Sequence, residues 1–302
     1  MKNVFFLKPY LDHEEWGSDH LKEYGIDLEN ATDVGEALVI SAYQDKSSVI
    51  TNGEYSNQTL YDVFNSHKEL FDNYSEKQYP LCCKYIDCGW KLPVQVHPTH
   101  EYAQEHYEEA GGREKCWYVI KAEDKSNIVL GHTAKTIEEF RQMVKDDNWD
   151  KLLVNREIKS GELIYVPTGC IHGLSEGLIL YEVQLTSTPV FKIYNYEKDS
   201  DDLNIEEAFA NTTIPYREVE FKHEGNILIE TDKFKLIKII NEREKEYSFT
   251  DARWIQATVI DGEGILNDEY ELKKGISFII PSIEQSFKVK GEITILISYV
   301  TK

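Results

Sequence analysis

Apolar residues recur every second position through much of this chain, and helical spacing is confined to a few segments. Val34 to Ala42, Pro80 to Cys88 and Leu92 to His97 read as strands, and Ser47 to Gly53 as a strand with a turn. Cys116 to Ala122 and Asn127 to Gly131 form a candidate hairpin. From Gly161 onward nearly everything is strand: Gly161 to His172 as turn, buried strand and second turn, then Leu178 to Thr186 and Val190 to Tyr196. Residues 215–302 are short strands at close spacing, with turns at Asp261-Gly262 and Lys274-Gly275. Three segments break the period. Thr59 to Phe71 carries Leu60, Val63, Phe64 and Leu70 on a helical face, and Thr99 to Ala110 is an acidic helical piece. Thr136 to Leu153 is the clearest helix, with Thr136 as its cap, Glu139 at the capping-box position, and Ile137, Phe140, Met143 and Val144 on one face. Residues 1–30 read as an irregular entry arm.

This pattern predicts a mainly β protein with a small helical insertion, in which residues 215–302 form a small β-barrel or sandwich, and the whole reads as two related barrels. An internal echo supports the pairing. Gly161…Pro167 recurs with the same spacing as Gly275…Pro281, although the second copy lacks the histidine that follows the first. The charged connector Lys198 to Glu207 is the natural boundary. It divides the chain into 1–200, with the arm and the insertion, and 201–302, a small β-barrel.

Composition narrows the function classes. A net charge of −21 over 302 residues argues against nucleic acid or an anionic membrane as partner, and an anionic small molecule would need a local cluster of Lys and Arg. No apolar run is long enough to cross a membrane as a helix, and the N-terminus carries no cleavable leader, so the cytoplasm is the expected location. Cys82, Cys83, Cys88, Cys116 and Cys170 are odd in number and lack zinc-type spacing, which predicts buried thiols. Oligomeric state is not readable.

The candidate chemistry centres on Gln95, His97 and His172. Residues two apart on a strand share a face, so Gln95 and His97 point one way and Leu92, Val94 and Val96 the other. Imidazole suits zinc, iron and manganese, and an amide oxygen is a weaker ligand. Taken alone, His97 serves equally as a hydrogen-bonded core histidine. His100 reads as solvent-exposed and His132 as structural.

The pattern Gly-x5-Pro-x-Gly-x-x-His, ending at His172 and preceded by a strand ending His97-Pro98, is that of the cupin barrel. With Cys116-Trp117-Tyr118, Gly131-His132, Val166-Pro167-Thr168-Gly169, Glu182-Val183-Gln184, Trp16-Gly17 and Pro80-Leu81 with Lys84, the chain resembles the type I mannose-6-phosphate isomerase family in its short bacterial form. The resemblance covers residues 5–200 strongly and the C-terminal barrel weakly. It implies two cupin-like jelly-roll barrels and interconversion of mannose 6-phosphate and fructose 6-phosphate through an enediol. It also implies one zinc ion held by Gln, His, Glu and His. Gln95, His97 and His172 match three of those ligands, and Arg113 matches a Lys that approaches the substrate. Lys192 takes the place of the active-site Arg, which makes Arg113 and Lys192 the catalytic candidates. Lys84, Lys115 and Glu182 are the substrate-binding candidates.

Three positions depart from the family. Lys115 stands where the fourth ligand, a Glu, belongs, and Glu114 replaces it only if a bulge intervenes. Thr188 replaces an Asp, and Lys192 replaces an Arg without its planar fork. An ammonium ~4 Å from a cation is repelled by roughly 4 kcal/mol per unit charge at an effective dielectric of about 20, and a divalent ion doubles this. Zinc is therefore expected to be weak or absent. The C-terminal domain, whose only histidine is His223, is expected to hold no metal. The leading expectation is a sugar-phosphate isomerase. The alternative is a degenerate cupin that binds a sugar or sugar phosphate without turnover. A different metal-dependent cupin enzyme fits less well, because the carboxylate of a two-His-one-carboxylate iron site is missing.

Overall fold

A computed structural model describes residues 4–107, 111–196, 202–219, 221 and 224–302. Residues 108–110 of the acidic helical piece, 198–201 of the connector, and His223 lie outside them. The chain is mainly β and forms two compact units. One comprises Met1–His13, Asp19–Tyr85 and Phe221–Lys302, and the other Glu14–Ser18 and Ile86–Glu220. The units interleave along the chain, unlike the single cut at about residue 200 expected from composition. No helix among the described residues is long and apolar enough to cross a membrane.

In the first unit the antiparallel order is Ile227–Glu230, Lys235–Asn241, Ile293–Tyr299, Ile255–Leu266, Ser277–Ile280, Phe5–Lys8 and Val49–Ile50. This corrects the reading of residues 1–30 as irregular. Phe5–Lys8 is a strand whose Phe6 stands opposite Phe278, and Tyr10–Ser18 is a second strand. Phe5 and Leu7 are buried, and their alternation with Phe6 and Lys8 is too short a signal to stand out in the sequence. The core of this barrel includes Ile255, Ala257, Phe278, Ile280, Phe287 and Ile295.

In the second unit a five-stranded sheet runs Phe191–Tyr194, Val94–Val96, His172–Leu174, Asn127–His132 and Leu153–Glu157. The strands Leu163–Val166, Lys115–Ala122 and Leu178–Leu185 are paired in that order. Trp117, Val119, Ile164, Val166, Leu178 and Leu180 from these three strands pack with Ile128, Leu130 and Leu174 from the five-stranded sheet, which defines the barrel interior. The opposite face of the five-stranded sheet presents Val94, Val96, Val129, Phe191 and Ile193 to Phe140 and Leu152 of the helical insertion and to Ala208 and Phe209 of a separate helix, Ile205–Asn211.

That insertion is two helices, Ile137–Lys145 and Trp149–Leu152, rather than one from 136 to 153. The break falls where Asp147 takes a positive φ of 53°. Thr136 caps the first helix by accepting from the Glu139 backbone N–H, and Glu139 reaches back to the Lys135 N–H. Thr59 to Phe71 likewise divides into Leu60–Ser66 and a 3-10 turn, Lys68–Phe71.

The internal echo is structural. Gly161 (φ 88°) and Gly275 (φ 91°) each turn the chain into a strand, Leu163–Val166 and Ser277–Ile280. Each donates its N–H to a strand carbonyl, of Val119 and Val259 respectively. Both φ values are ones L side chains rarely adopt.

Gly131 fixes the strand beside His172. Its φ is 85°, and an added Cβ would lie 2.0 Å from the Tyr216 ring. Gly131→Ala is expected to lower stability by about 2–5 kcal/mol, combining left-handed strain with overpacking. Urea unfolding of the single variant and of Gly131→Ala/Tyr216→Ala checks it. Partial recovery in the double variant is the expected result, and unchanged stability of the single variant would contradict the clash.

Candidate functional site

Alternation along each strand decides which polar groups face the barrel interior. Val94 and Val96 lie under the helices, so Gln95 points the other way. Across the sheet, Gln95 stands opposite His172 on one side and Lys192 on the other. Lys192 is itself flanked by the outward Phe191 and Ile193. His97 follows two residues after Gln95, and its ring centroid is 5.0 Å from that of His172. Gln95, His172 and Lys192 thus share one row of the sheet, with the two imidazoles adjacent.

The strand Lys115–Ala122 supplies the other wall. Trp117 and Val119 are interior residues, so Lys115, two before Trp117, faces inward as well. Lys115 stands opposite Gln184, and Trp117 opposite Glu182, without a register shift in this part of the pairing. Lys115 Nζ lies 3.3 Å from Glu182 Oε2, and the same carboxylate oxygen accepts from Trp117 Nε1 at 2.5 Å. The Trp117 ring meets His172 edge-on at 5.6 Å. Lys115, Glu182, Trp117, His172 and His97 therefore form one continuous buried series.

The bulge that would bring Glu114 inward does not intervene, because Lys115 keeps regular partners, Gln184 and Val166. Glu114 accepts instead from the Tyr165 hydroxyl at 3.0 Å and lies 3.9 Å from His100 Nε2. His100 is thus only partly exposed, contrary to the expectation of a solvated residue, and its Nδ1 accepts from the Gly112 N–H. Arg113 donates from Nε and Nη2 to the Ser187 carbonyl, which holds its guanidinium in place. Lys84 belongs to the other unit, where it is buried and pairs with Glu36 at 2.7 Å. His132 has a structural setting: Nε2 donates to the Thr213 carbonyl, and the ring packs edge-on against Phe140.

The electrostatics favour neutral imidazoles. His97 Nδ1 faces the Pro189 carbonyl at 3.1 Å, and His172 Nδ1 faces the Cys170 carbonyl at 2.9 Å. A carbonyl accepts only, so both Nδ1 atoms carry hydrogen and both Nε2 atoms present a lone pair. Both Nε2 atoms are buried without a hydrogen-bond partner among the described residues. Burial, then the nearby Lys115 ammonium, holds His97 well below the ordinary histidine range and His172 down to about 3.

Two imidazoles with backbone-fixed tautomers are the usual supporting arrangement for metal ligands. Gln95 shares their face. The set stops there: no group of three or more His, Cys, Asp or Glu able to hold a metal occurs among the described residues. By the family resemblance the fourth position falls to Lys115, whose side chain faces inward here and is paired with Glu182, so the residues fit one side of a zinc shell and not the whole of it. Tyr165 and the Ser187 and Pro189 carbonyls are not singled out by the sequence, and Trp117 is part of a family motif there without a role in the site. Only Trp117 left a signal, being two residues from Lys115 on one strand.

Buried neutral histidines have a consequence for acid stability. A group whose folded pKa is depressed binds its proton first in the unfolded chain, so stability is present above about pH 6.5 and is lost as pH falls toward the folded value. His172, at about 3 when folded, accounts for a loss on the order of 2 kcal/mol at pH 5. His97 and His132 act in the same direction. Urea unfolding in chelator at pH 7.5 and 5 should show the drop, and His172→Asn should reduce it. Equal stability of the parent at both pH values would contradict the assignment.

Residues 4–142 match the model of the phosphomannose isomerase type I catalytic domain, and residues 223–300 match the mannose-6-phosphate isomerase cupin domain. The chain is 32% identical over 316 residues to mannose-6-phosphate isomerase of Streptococcus mutans, covering 99% of each chain. Among solved structures it is similar to mannose 6-phosphate isomerase from Bacillus subtilis, with a TM-score of 0.91, 29% identity, and coverage of 99% of this chain and 100% of that one. A zinc-bound mannose 6-phosphate isomerase shares the fold at a TM-score of 0.81 and 16% identity, with 99% and 100% covered.

Proposed function

The chain belongs to the type I mannose-6-phosphate isomerase family, with two cupin-like barrels, and from that premise we propose that it is an aldose–ketose isomerase interconverting mannose 6-phosphate and fructose 6-phosphate in the cytoplasm. The observation that carries the proposal is the pair of buried Nε2 lone pairs on His97 and His172, set in one barrel with Lys115, Arg113 and Lys192 in a protein of net charge −21. Lone pairs beside cations suit a polyhydroxylated anion, whose hydroxyls donate to the imidazoles while its oxygens accept from the cations.

The isomerisation moves one proton between C1 and C2 and another between the attached oxygens, with negative charge developing on the carbonyl oxygen of the open sugar. Arg113 and Lys192 are catalytic groups assigned to help balance that charge. Arg113 is oriented by the Ser187 carbonyl, and Lys192 is presented by its strand opposite Gln95. Lys115 and Glu182 are assigned to substrate binding in the barrel, and the assignment of Lys84 rests on its motif match alone. A zinc ion, where bound, would polarise the same sugar oxygens and would be held by Gln95, His97 and His172. The Lys115 ammonium does not fit the remaining position, so no step is assigned to a metal.

Purified protein given mannose 6-phosphate should form fructose 6-phosphate in a coupled assay. Lys192→Met should reduce kcat by about a hundredfold or more, the usual loss when a charge-stabilising donor is removed. Calorimetric binding of mannose 6-phosphate with no product formed would replace this proposal with binding without turnover.

A further inference from the structure

We infer that the Lys115 ammonium, held by Glu182, is itself the positive centre of the site, so that sugar phosphate is bound and isomerised without a divalent metal. This inference rests on the isomerase reading above and concerns what serves as the electrophile within it.

The first ground is position. Lys115 is an interior strand residue, 3% exposed, and its ammonium sits against a carboxylate that also holds the indole edge packed on His172. The strand register is regular on both sides of it, so the side chain is set inward by the fold rather than swung in by chance. An ammonium so placed shares the barrel interior with the two imidazoles, one of which packs on the same Trp117 ring.

The second ground is charge balance. Gln95, His97 and His172 are all neutral ligands, and the interior carboxylate nearest the ammonium is already engaged by Lys115 and Trp117. A divalent ion would bring two positive charges beside a third. Lys115 could ligate a metal only as a neutral amine, whereas here its side chain is paired with a carboxylate 3.3 Å away.

The third ground is complementarity. The site offers two acceptors, His97 Nε2 and His172 Nε2, and a charged donor, Lys115 Nζ. A hydroxyl next to a carbonyl is the matching pattern: the hydroxyl donates to an imidazole, and the carbonyl oxygen accepts from the ammonium. When the carbon proton leaves, the charge that forms on that oxygen lies against a cation already in place. One imidazole takes the proton from one carbon on its Nε2 lone pair and returns it to the neighbouring carbon, while the other imidazole passes the hydroxyl proton to the other oxygen, so the reaction needs no oxidant, reductant or co-reactant. Lys115 keeps its own proton throughout.

The test compares protein stripped by chelator and checked by elemental analysis with the same protein given stoichiometric zinc. Mannose 6-phosphate binding is read by calorimetry and turnover by the coupled assay. The expected result is a Kd and kcat unchanged within about twofold between the two preparations. Lys115→Met leaves a buried carboxylate and can unfold, so Lys115→Met/Glu182→Gln, a neutral pair, accompanies it. That double variant should fold, with binding weakened about tenfold or more in both preparations, as for loss of a charged hydrogen bond. Binding and turnover that vanish on stripping and return with zinc would overturn the inference and leave the isomerase reading standing. So would a folded double variant that binds as tightly as the parent. No mannose 6-phosphate binding in either preparation would overturn both.

Discussion

Lys115→Glu should turn this protein into one that needs zinc. The substitution sets a carboxylate beside Glu182 in the interior and opposite the two imidazoles, where the parent has an ammonium 3.3 Å from that carboxylate. Without metal, two like charges then share a buried site, and the variant should melt below the parent. With zinc, the charge facing the ion reverses from repulsive to attractive. At roughly 4 kcal/mol per unit charge pair at ~4 Å and an effective dielectric of about 20, the swing is many kcal/mol. Each 1.4 kcal/mol or so is tenfold in affinity, so zinc binding should tighten by several orders of magnitude. Zinc at about a thousand times its Kd adds ~4 kcal/mol of stability, or a Tm rise of about 8 °C in a protein of this size. The parent should shift little under the same zinc. Turnover need not follow, because Thr188 and Lys192 also depart from the family pattern. A thermal melt with and without zinc, beside a zinc titration, decides it. Tight stoichiometric zinc in the parent with no gain in Lys115→Glu would mean that the ammonium is not where the ion would sit.

Much of this site was legible because it is written in a period of two. The valines around Gln95 marked one face as apolar, which fixed the direction of Gln95 and His97 before any partner was known. The Gly-to-Pro spacing before His172 placed a turn, a strand and a second turn, and its echo at Gly275 held in three dimensions. What alternation cannot carry is the identity of a partner far along the chain. Lys115 and Glu182 meet because two strands pair in a register set by every residue of both, and nothing local to either announces the other. The same holds for Phe5–Lys8, a four-residue strand whose partner, Ser277–Ile280, lies near the other end of the sequence. The helix at Thr136 failed differently. Its apolar face holds as far as Val144, but Trp149, nine residues from Phe140, falls half a turn out of phase with that face, and the backbone turn at Asp147 separates the two segments. Glu114 was a question of register, and the regular pairing of Lys115 with Val166 and Gln184 answered it.

Glu182→Gln should be among the most destabilising single substitutions in the second unit. Glu182 is 1% exposed, and one of its oxygens serves two donors, Lys115 Nζ and Trp117 Nε1. Removing its charge keeps the shape and leaves an ammonium in the interior without its counter-charge. Breaking one side of a buried pair costs about 3–5 kcal/mol, partly relieved if the lysine gives up its proton. For a chain of this length the Tm should fall by roughly 6–10 °C. The double variant Lys115→Met/Glu182→Gln removes both charges, so it should lose less than Glu182→Gln alone, and the difference in a double-mutant cycle reports the coupling. Trp117→Phe supplies the control. It deletes the indole donor, leaves the ion pair, and should cost on the order of 1–3 kcal/mol. Glu182→Gln melting with the parent would show that Lys115 is neutral in the folded protein, and the site would then hold no built-in cation at this position.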